Sequence, residues 1–238
     1  MKQSLLFQPG KRSRDDSTTT AGHGASEKPL IPLAARLRPD HVSDFVGQAH
    51  VLPTLTHMLN TQVPLVSIIV FGKREKKRTV FLSQSFGSGP AGCGKTSIMK
   101  LIARARANEY LFKSCSAVTT GAPELRKMMD EAERAKVVLK KQTALFCDEI
   151  HRLTKPQQDV LLQSVEEGAI ILLGATTENP SFVLSTALLS RCRVFQFEAL
   201  DHASVATLLR RAQEKDENLQ IVSSEVIESI AACADGLF

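Results

Sequence analysis

Nothing in this chain of 238 residues encodes a cross-linked or metal-stapled scaffold. Its five cysteines (Cys93, Cys115, Cys147, Cys192 and Cys233) are scattered and form no C-x-x-C pair. Neither a zinc site nor a disulfide framework is therefore indicated, and a reducing compartment fits best. No apolar run approaches the roughly 20 residues needed to span a bilayer, the longest candidate being Val63 to Phe71. The amino terminus also lacks the hydrophobic region of a signal peptide. These absences predict an intracellular protein with no membrane partner, nuclear if its source is eukaryotic and otherwise cytoplasmic. A large charge imbalance is missing too. The net charge of +5 suits an anionic partner such as nucleic acid, but much of the excess lies in two local runs.

The composition that is present, 43% hydrophobic and 23% charged, is that of a globular protein with one core or one core plus a small appendage. Its most informative stretch is Gly89-Pro90-Ala91-Gly92-Cys93-Gly94-Lys95-Thr96, which fits G-x-x-x-x-G-K-[ST] and runs into a helical pattern. Small residues at this spacing let successive backbone N–H groups curl around a β-phosphate. Lys95 would reach the β/γ oxygens, and the Thr96 hydroxyl would ligate Mg²⁺. A helix starting here adds its positive end. ATP and Mg²⁺ are the cofactors this spacing implies. In a protein without Lys73–Gly89, Cys93, among the loop amides and beside Lys95, is expected to be the most reactive thiol, the alternative being an inert small residue at a variable loop position.

The remaining text alternates strand-like and helical segments. Residues 1–30 are rich in Ser, Thr, Gly, Lys, Arg and Asp and predict a disordered tail. Within it, Lys11-Arg12-Ser13-Arg14 is a solvated charge run or a weak nuclear address, and Gln3-Ser4-Leu5-Leu6-Phe7 resembles peptides that dock on sliding clamps. Residues 31–198 form the core domain. Val66–Phe71 reads as a fully buried strand, followed by a basic stretch, Lys73–Arg78, and a poorer strand-like piece, Thr79–Phe86. Ile98, Leu101, Ile102 and Ala105 mark the buried face of the helix after the phosphate loop. Tyr110–Val118 is the next strand, and Leu125, Met128, Met129, Ala132 and Leu139 mark one side of a long charged helix. Three further strands are expected at Thr143–Cys147, Ala169–Ala175 and Val194–Phe197. Between the first two of these, Thr154, Pro156 and Gln157 open a helix that should stop at Gly168. Residues 199–238 carry two amphipathic helices capped at Asp201 and at Ser223 or Ser224. The fold class is α/β, a P-loop nucleotidase sheet that is mostly parallel and flanked by helices, with a partial helical lid.

Phosphoryl transfer also needs a metal-side carboxylate and a group that activates water. Asp148 and Glu149, standing where an apolar strand ends, fit those two roles. The alternative is a pair of helix-entry acids.

Taken together, Arg38-Pro39, Phe45-Val46-Gly47-Gln48, the Gly89–Thr96 loop, Asp148-Glu149-Ile150-His151-Arg152, Gly174–Pro180 and Leu189–Arg193 resemble the AAA+ ATPases. Within that group they are most similar to the RarA/MgsA family, whose eukaryotic member is Werner helicase-interacting protein. The resemblance covers roughly Pro32 to Phe238. It implies that Val46, Gly47 and Gln48 line the adenine pocket, that Asn179 senses the γ-phosphate, and that Arg191 is an arginine finger reaching a neighbouring subunit of a homo-oligomer. Arg191 also admits a plain reading as a surface salt-bridge partner. The resemblance further implies a DNA-dependent ATPase active in replication-fork maintenance, DNA repair and recombination. It would bind forks or single-strand/double-strand junctions in company with replication proteins.

The sequence departs from that pattern twice. Lys73–Gly89 interrupts the strand-to-loop text, and deleting it joins Gly72 directly to Pro90. The chain also stops inside the expected lid, before any second sensor arginine or carboxyl-terminal oligomerising domain. The competing readings are therefore a non-catalytic nucleotide-binding or interaction variant, and a clamp-loader-like subunit.

A phosphate loop works when a rigid strand delivers it. Ile68, Ile69 and Val70 suit a strand buried on both faces better than Thr79–Phe86, which carries Ser83, Gln84 and Ser85. If Val66–Phe71 keeps the central place, the loop loses its short tether, and misplacement near 1 Å can cost about a hundredfold in positioned chemistry. Deleting residues 73–89 is therefore expected to raise Mg-ATP affinity at least about tenfold. Titrating a fluorescent ATP analogue into both proteins checks this, and equal affinities would contradict it.

Overall fold

Three strand ends and the start of one helix meet along a single edge of the sheet, and the order of the strands explains why. The structure, a computed structural model, describes residues 33–60, 62–73, 92–216 and 219–234. The expected tail, the strand-like Thr79–Phe86, nearly all of the 73–89 insert, loop residues Gly89, Pro90 and Ala91, and the last four residues lie outside the described residues. In chain order the elements are α1 (Leu33–Arg36), a 3-10 turn (Val42–Asp44), α2 (Leu52–Leu59), β1 (Ile68–Lys73), α3 (Lys95–Ala105), β2 (Leu111–Ser116) and α4 (Ala122–Leu139). They continue with β3 (Thr143–Asp148), a second 3-10 turn (Ile150–Arg152), α5 (Lys155–Glu166), β4 (Ile170–Thr176), the short α6 (Pro180–Val183) and α7 (Thr186–Leu189), β5 (Arg193–Glu198), α8 (His202–Lys215) and α9 (Ser224–Cys233).

Among the described residues the strands form one sheet, in the order β2-β3-β4-β1-β5, with every pairing parallel. β1 is central: Ile68 pairs with Leu173 of β4 on one side and Arg193 of β5 on the other. Ile68, Ile69 and Val70 are fully buried, as a strand covered by helices on both faces requires. β4 is buried along its whole length for the same reason. Two apolar clusters occupy the two faces. Ile68 and Val70 join Leu55, Ile98, Ile102 and Phe197 on one, and Ile69 joins Leu125, Leu145, Ile150 and Leu161 on the other. A smaller cluster of Leu200, Val205, Ala206, Ile227 and Ala231 holds α8 and α9 together. No helix among the described residues is long and apolar enough to cross a membrane.

Strand and helix boundaries fall within two residues of those expected, because the signals are local. Gln157 accepts hydrogen bonds from the Thr154 N–H and hydroxyl, both at 2.9 Å, so the start of α5 is set by its cap. Asp201 accepts from the Ser204 N–H at 2.8 Å, and Ser223 from the Val226 N–H at 3.4 Å, starting α8 and α9. Three assignments of buried positions need correction. Val66 is 36% exposed, because it precedes the first residue of β1. Leu139 is 58% exposed, because it lies in the last turn of α4. Ala105 is exposed while Arg106 is buried.

Arg106 is the structural residue that the apolar pattern hides. Its side chain is 1% exposed. The guanidinium donates to the carbonyls of Met58 and Asn60 at 2.9 Å and of Val63 at 2.8 Å, and to the Glu109 carboxylate at 2.7 and 2.9 Å. It also lies 5.2 Å from the centre of the Tyr110 ring, whose hydroxyl accepts from the Leu65 N–H at 3.0 Å. The fork geometry of arginine thus supplies donors to three carbonyls of the α2–β1 connection and holds it against the end of α3. Arg106→Ala removes the donor to the Met58 and Val63 carbonyls and leaves the Asn60 carbonyl with only the Val63 N–H among the described residues. It is expected to lower unfolding free energy by about 3 kcal/mol, read as a fall in the urea midpoint at unchanged m-value.

Candidate active site

Of the phosphate loop, Gly92–Thr96 is described. Gly92 and Gly94 take φ of +79° and +98°, the left-handed region open to glycine. At Gly94 a Cβ would stand 2.7 Å from the Phe45 ring, so the loop turns tightly beneath an aromatic lid. α3 then starts at Lys95. Lys95 is itself buried, with Nζ 3.4 Å from Cys93 Sγ. Cys93 is only 2% exposed in this chain; the expectation of a reactive thiol concerns the protein without residues 73–89. The thiol of Cys192 is raised to about 11 by burial. Cys147, one residue before Asp148, is raised by its hydrogen bond with Cys115 and by burial. Neither is a nucleophile at neutral pH.

A cleft of about 220 Å³ opens over Gly92–Ser97, walled by Leu37, Arg38, Pro39, Phe45 and Val46 and closed by Leu200 and Leu208 from the lid side. Ion pairs and hydrogen bonds tie the wall down. Asp40 pairs with Arg104 of α3, Arg211 of α8 donates to the Asp44 carbonyl at 2.6 Å, and Arg36 pairs with Asp216. Of the three residues expected to line this pocket, Val46 is on its wall. Gln48, 6% exposed and at φ +59°, instead turns its side chain to the end of β5. There it donates to the Glu198 carbonyl at 2.7 Å and accepts from the Glu198 N–H at 3.0 Å. Gly47, at φ +74°, packs so closely that a Cβ would lie 2.9 Å from Leu200. These two shape the wall from behind.

At the carboxyl end of β3, Asp148 accepts from the Glu149 N–H at 3.1 Å. Glu149 adopts φ +52°, a left-handed turn that costs a non-glycine residue about 1 kcal/mol. The turn is held by Ile150, which is fully buried against Gly174, where a Cβ would come within 3.1 Å of it. Glu149 Oε2 accepts from the Thr177 hydroxyl at 3.4 Å and stands 3.2 Å from His151 Nδ1. Thr177 and His151 are thus brought to the candidate base, although neither was singled out individually from the sequence. Thr177 extends the β4 terminus, and a polar residue at that edge is the signal that could have found it. Asn179, by contrast, caps α6 through the Ser181 N–H at 3.0 Å. Arg191 is 39% exposed, 2.5 Å from Glu166, and donates to the Ala187 carbonyl at 2.7 Å. The structure therefore groups Glu149, Thr177 and His151 closely, while Arg191 contacts Glu166 and Ala187 of the same chain.

One buried amide positions the segment that follows β4. Gln158, 3% exposed, donates to the carbonyls of Leu153 and Val183 at 3.0 and 3.1 Å and accepts from the Ser185 N–H at 2.8 Å. It pins the connection between α6 and α7 to the turn after β3.

The sheet order, glycine loop and strand-end carboxylates define a P-loop ATPase of the AAA type. The "ATPase family associated with various cellular activities (AAA)" matches residues 87–199, and RuvB of Thermotoga maritima has a similar fold. Its structure, titled a Holliday junction branch migration motor, superposes with a TM-score of 0.61 at 24% identity, covering 84% of this chain and 61% of that one. Among curated proteins, the chain is 39% identical over 216 residues to the ATPase WRNIP1 of Dictyostelium discoideum, covering 88% of this chain and 22% of that protein. It is 40% identical to the replication-associated recombination protein A of Coxiella burnetii, over 81% of this chain and 39% of that protein, and 38% identical to the Escherichia coli protein of the same name, over 79% and 38%. The chain belongs to the RarA/WRNIP1 family of AAA ATPases, and it spans well under half the length of these relatives.

The contact between Gly94 and Phe45 gives a direct test of the loop geometry. Gly94→Ala is expected to lower stability on the order of 2 kcal/mol. In a Phe45→Ala background the same change should cost less, because the ring is gone. A double-mutant cycle of urea midpoints measures the difference.

Proposed function

We propose that this chain is the ATP-hydrolysing part of a RarA/WRNIP1-type, DNA-dependent ATPase that acts in replication-associated recombination and repair. The observation that carries the reading is the sharing of one sheet edge by the phosphate-loop helix and the Asp148-Glu149 strand end. ATP would lie in the cleft over Gly92–Thr96, its adenine against Val46 and Phe45 and its phosphates on the loop amides and Lys95. The Thr96 hydroxyl and the Asp148 carboxylate are hard oxygen donors of the kind Mg²⁺ takes. Mg²⁺ commonly borrows its remaining ligands from phosphate and water, so the pair fits that ion without a larger cluster. When bound, the ion would neutralise charge on the β- and γ-oxygens. Glu149 would orient water and take its proton. Thr177, whose hydroxyl reaches Glu149, is better placed than Asn179 to couple that carboxylate to the γ-phosphate. Asn179 keeps an amide N–H₂ free of its capping role and can act from the same loop. Arg191 would complete a neighbouring subunit's site only after leaving Glu166, an exposed pair that is cheap to break.

DNA forks or single-strand/double-strand junctions, replication proteins and further copies of the chain are the partners this reading implies. Steady-state ATP hydrolysis with and without forked DNA tests it: stimulation by the fork is expected, and no hydrolysis under either condition would overturn it. A second reading, a nucleotide-binding form with little turnover, is favoured by one observation. β1 keeps the central place and runs to Lys73, so residues 74–91 separate the delivering strand from the described part of the loop.

The two assigned roles differ in kind. Lys95→Ala should weaken nucleotide binding, whereas Glu149→Gln in a protein lacking residues 73–89 should retain ATP and lose turnover. Equal loss of ATP binding in both variants would refute the assignment.

A further inference from the structure

His151 has no part in the roles assigned above, yet it is an enclosed titratable side chain that touches Glu149. Its side chain is 8% exposed. Nδ1 lies 2.9 Å from Thr176 Oγ1 and 3.2 Å from Glu149 Oε2, and Nε2 lies 3.7 Å from Glu178 Oε1. Thr176 is 1% exposed. Its hydroxyl donates to the Glu178 carbonyl at 3.3 Å and accepts from the Glu178 N–H at 3.0 Å. A hydroxyl has one proton: with it on the Glu178 carbonyl, the oxygen accepts from His151 and the ring proton stands on Nδ1. Glu149 Oε2 lies 3.2 Å from the same nitrogen.

We propose that His151 is a positioning residue for Glu149, acting together with Thr177. The backbone at Glu149 is in a strained left-handed turn, and a carboxylate on such a turn has no regular element to set its rotamer. His151 and Thr177 approach Oε2 from β3's exit turn and from β4's exit loop respectively. Both contacts fall on one oxygen, so the other, Oε1, is left to take a proton from water. His151 is in turn held through Thr176, so the orientation of the base is set from β4, the neighbour of the central strand. The proposal rests on the reading that Glu149 serves ATP hydrolysis. The competing explanation is a buried histidine that only anchors the turn to Thr176.

Two measurements on the full chain separate these. Long-range ¹H–¹⁵N spectra of the imidazole ring, which need no turnover, are expected to show the Nδ1–H tautomer and ring shifts that move on Glu149→Gln. An Nε2–H tautomer, or a ring insensitive to Glu149→Gln, would overturn the contact. Single-turnover hydrolysis with protein in excess is expected to slow about tenfold to a hundredfold in His151→Ala, with the Kd for a fluorescent ATP analogue changed less than about twofold. His151→Asn, whose amide N–H₂ stands close to the position of Nδ1, should recover most of the rate. In a Glu149→Gln background, removing His151 should change the rate less than about twofold. Equal losses in Ala and Asn variants, a parallel loss of nucleotide affinity, or full additivity with Glu149→Gln would mean that His151 is structural only. Since the tautomer is read without turnover, a chain that fails to hydrolyse ATP overturns the functional reading and not this contact.

Discussion

The insertion of β1 between β4 and β5 is the constraint on which the rest of the molecule depends. A parallel strand hydrogen-bonded on both edges and covered on both faces has no room for polar side chains or register slips. Ile68, Ile69 and Val70 meet that demand with no exposed surface. Once β1 is seated, the carboxyl ends of β1, β3 and β4 must share one edge. The metal-side carboxylate, the candidate base and the Thr177 loop come from those ends. Ser67 reinforces the seating just before the strand: its hydroxyl accepts from the Leu172 N–H at 3.0 Å and its carbonyl from the Arg193 N–H at 2.9 Å. The Arg106 clamp then fixes how the chain enters β1.

Away from the sheet, the parts of the site are positioned by buried polar side chains used as substitutes for backbone. Gln48 presents one donor and one acceptor to Glu198 as a paired strand would, and Gln158 satisfies three loop groups at once. Gln157 adds a bond to the Thr120 carbonyl at 3.1 Å. Loops cannot satisfy their own backbone groups in a ladder. A buried amide that is fully bonded therefore specifies one loop conformation, whereas an apolar residue there would leave acceptors and donors unpaired. The walls of the cleft and the segment bearing Asn179 and Arg191 both owe their placement to such residues.

The candidate base shows how strain and packing cooperate. Glu149 leaves β3 in a left-handed conformation because Ile150, the next residue, is driven into the core against Gly174. Burial of that side chain is worth about 2 kcal/mol, enough to offset the local strain. The carboxylate is thereby turned out of the strand line toward Thr177 and His151.

Much of this was legible from local text. The phosphate loop, the caps at Thr154, Asp201 and Ser223, the buried strands and the acidic pair are all encoded in residues close together in the chain. Caps, turns and buried runs depend on short-range sterics and hydrogen bonds. The α/β class followed from the alternation of these signals. Residues whose partners are distant in sequence were not legible: Arg106 reads as a surface charge after a helix, Gln48 as a pocket residue, Thr177 and His151 as parts of a motif without roles of their own. Their meaning lies in contacts across 25 to 150 positions, and only the packing of β1, β4 and β5 brings those partners together. The sequence by itself determined which elements form and which chemistry they carry. The tertiary structure alone decided which side chains face that chemistry, because hydrogen bonds made after chain reversal and desolvation leave no periodic trace in the text.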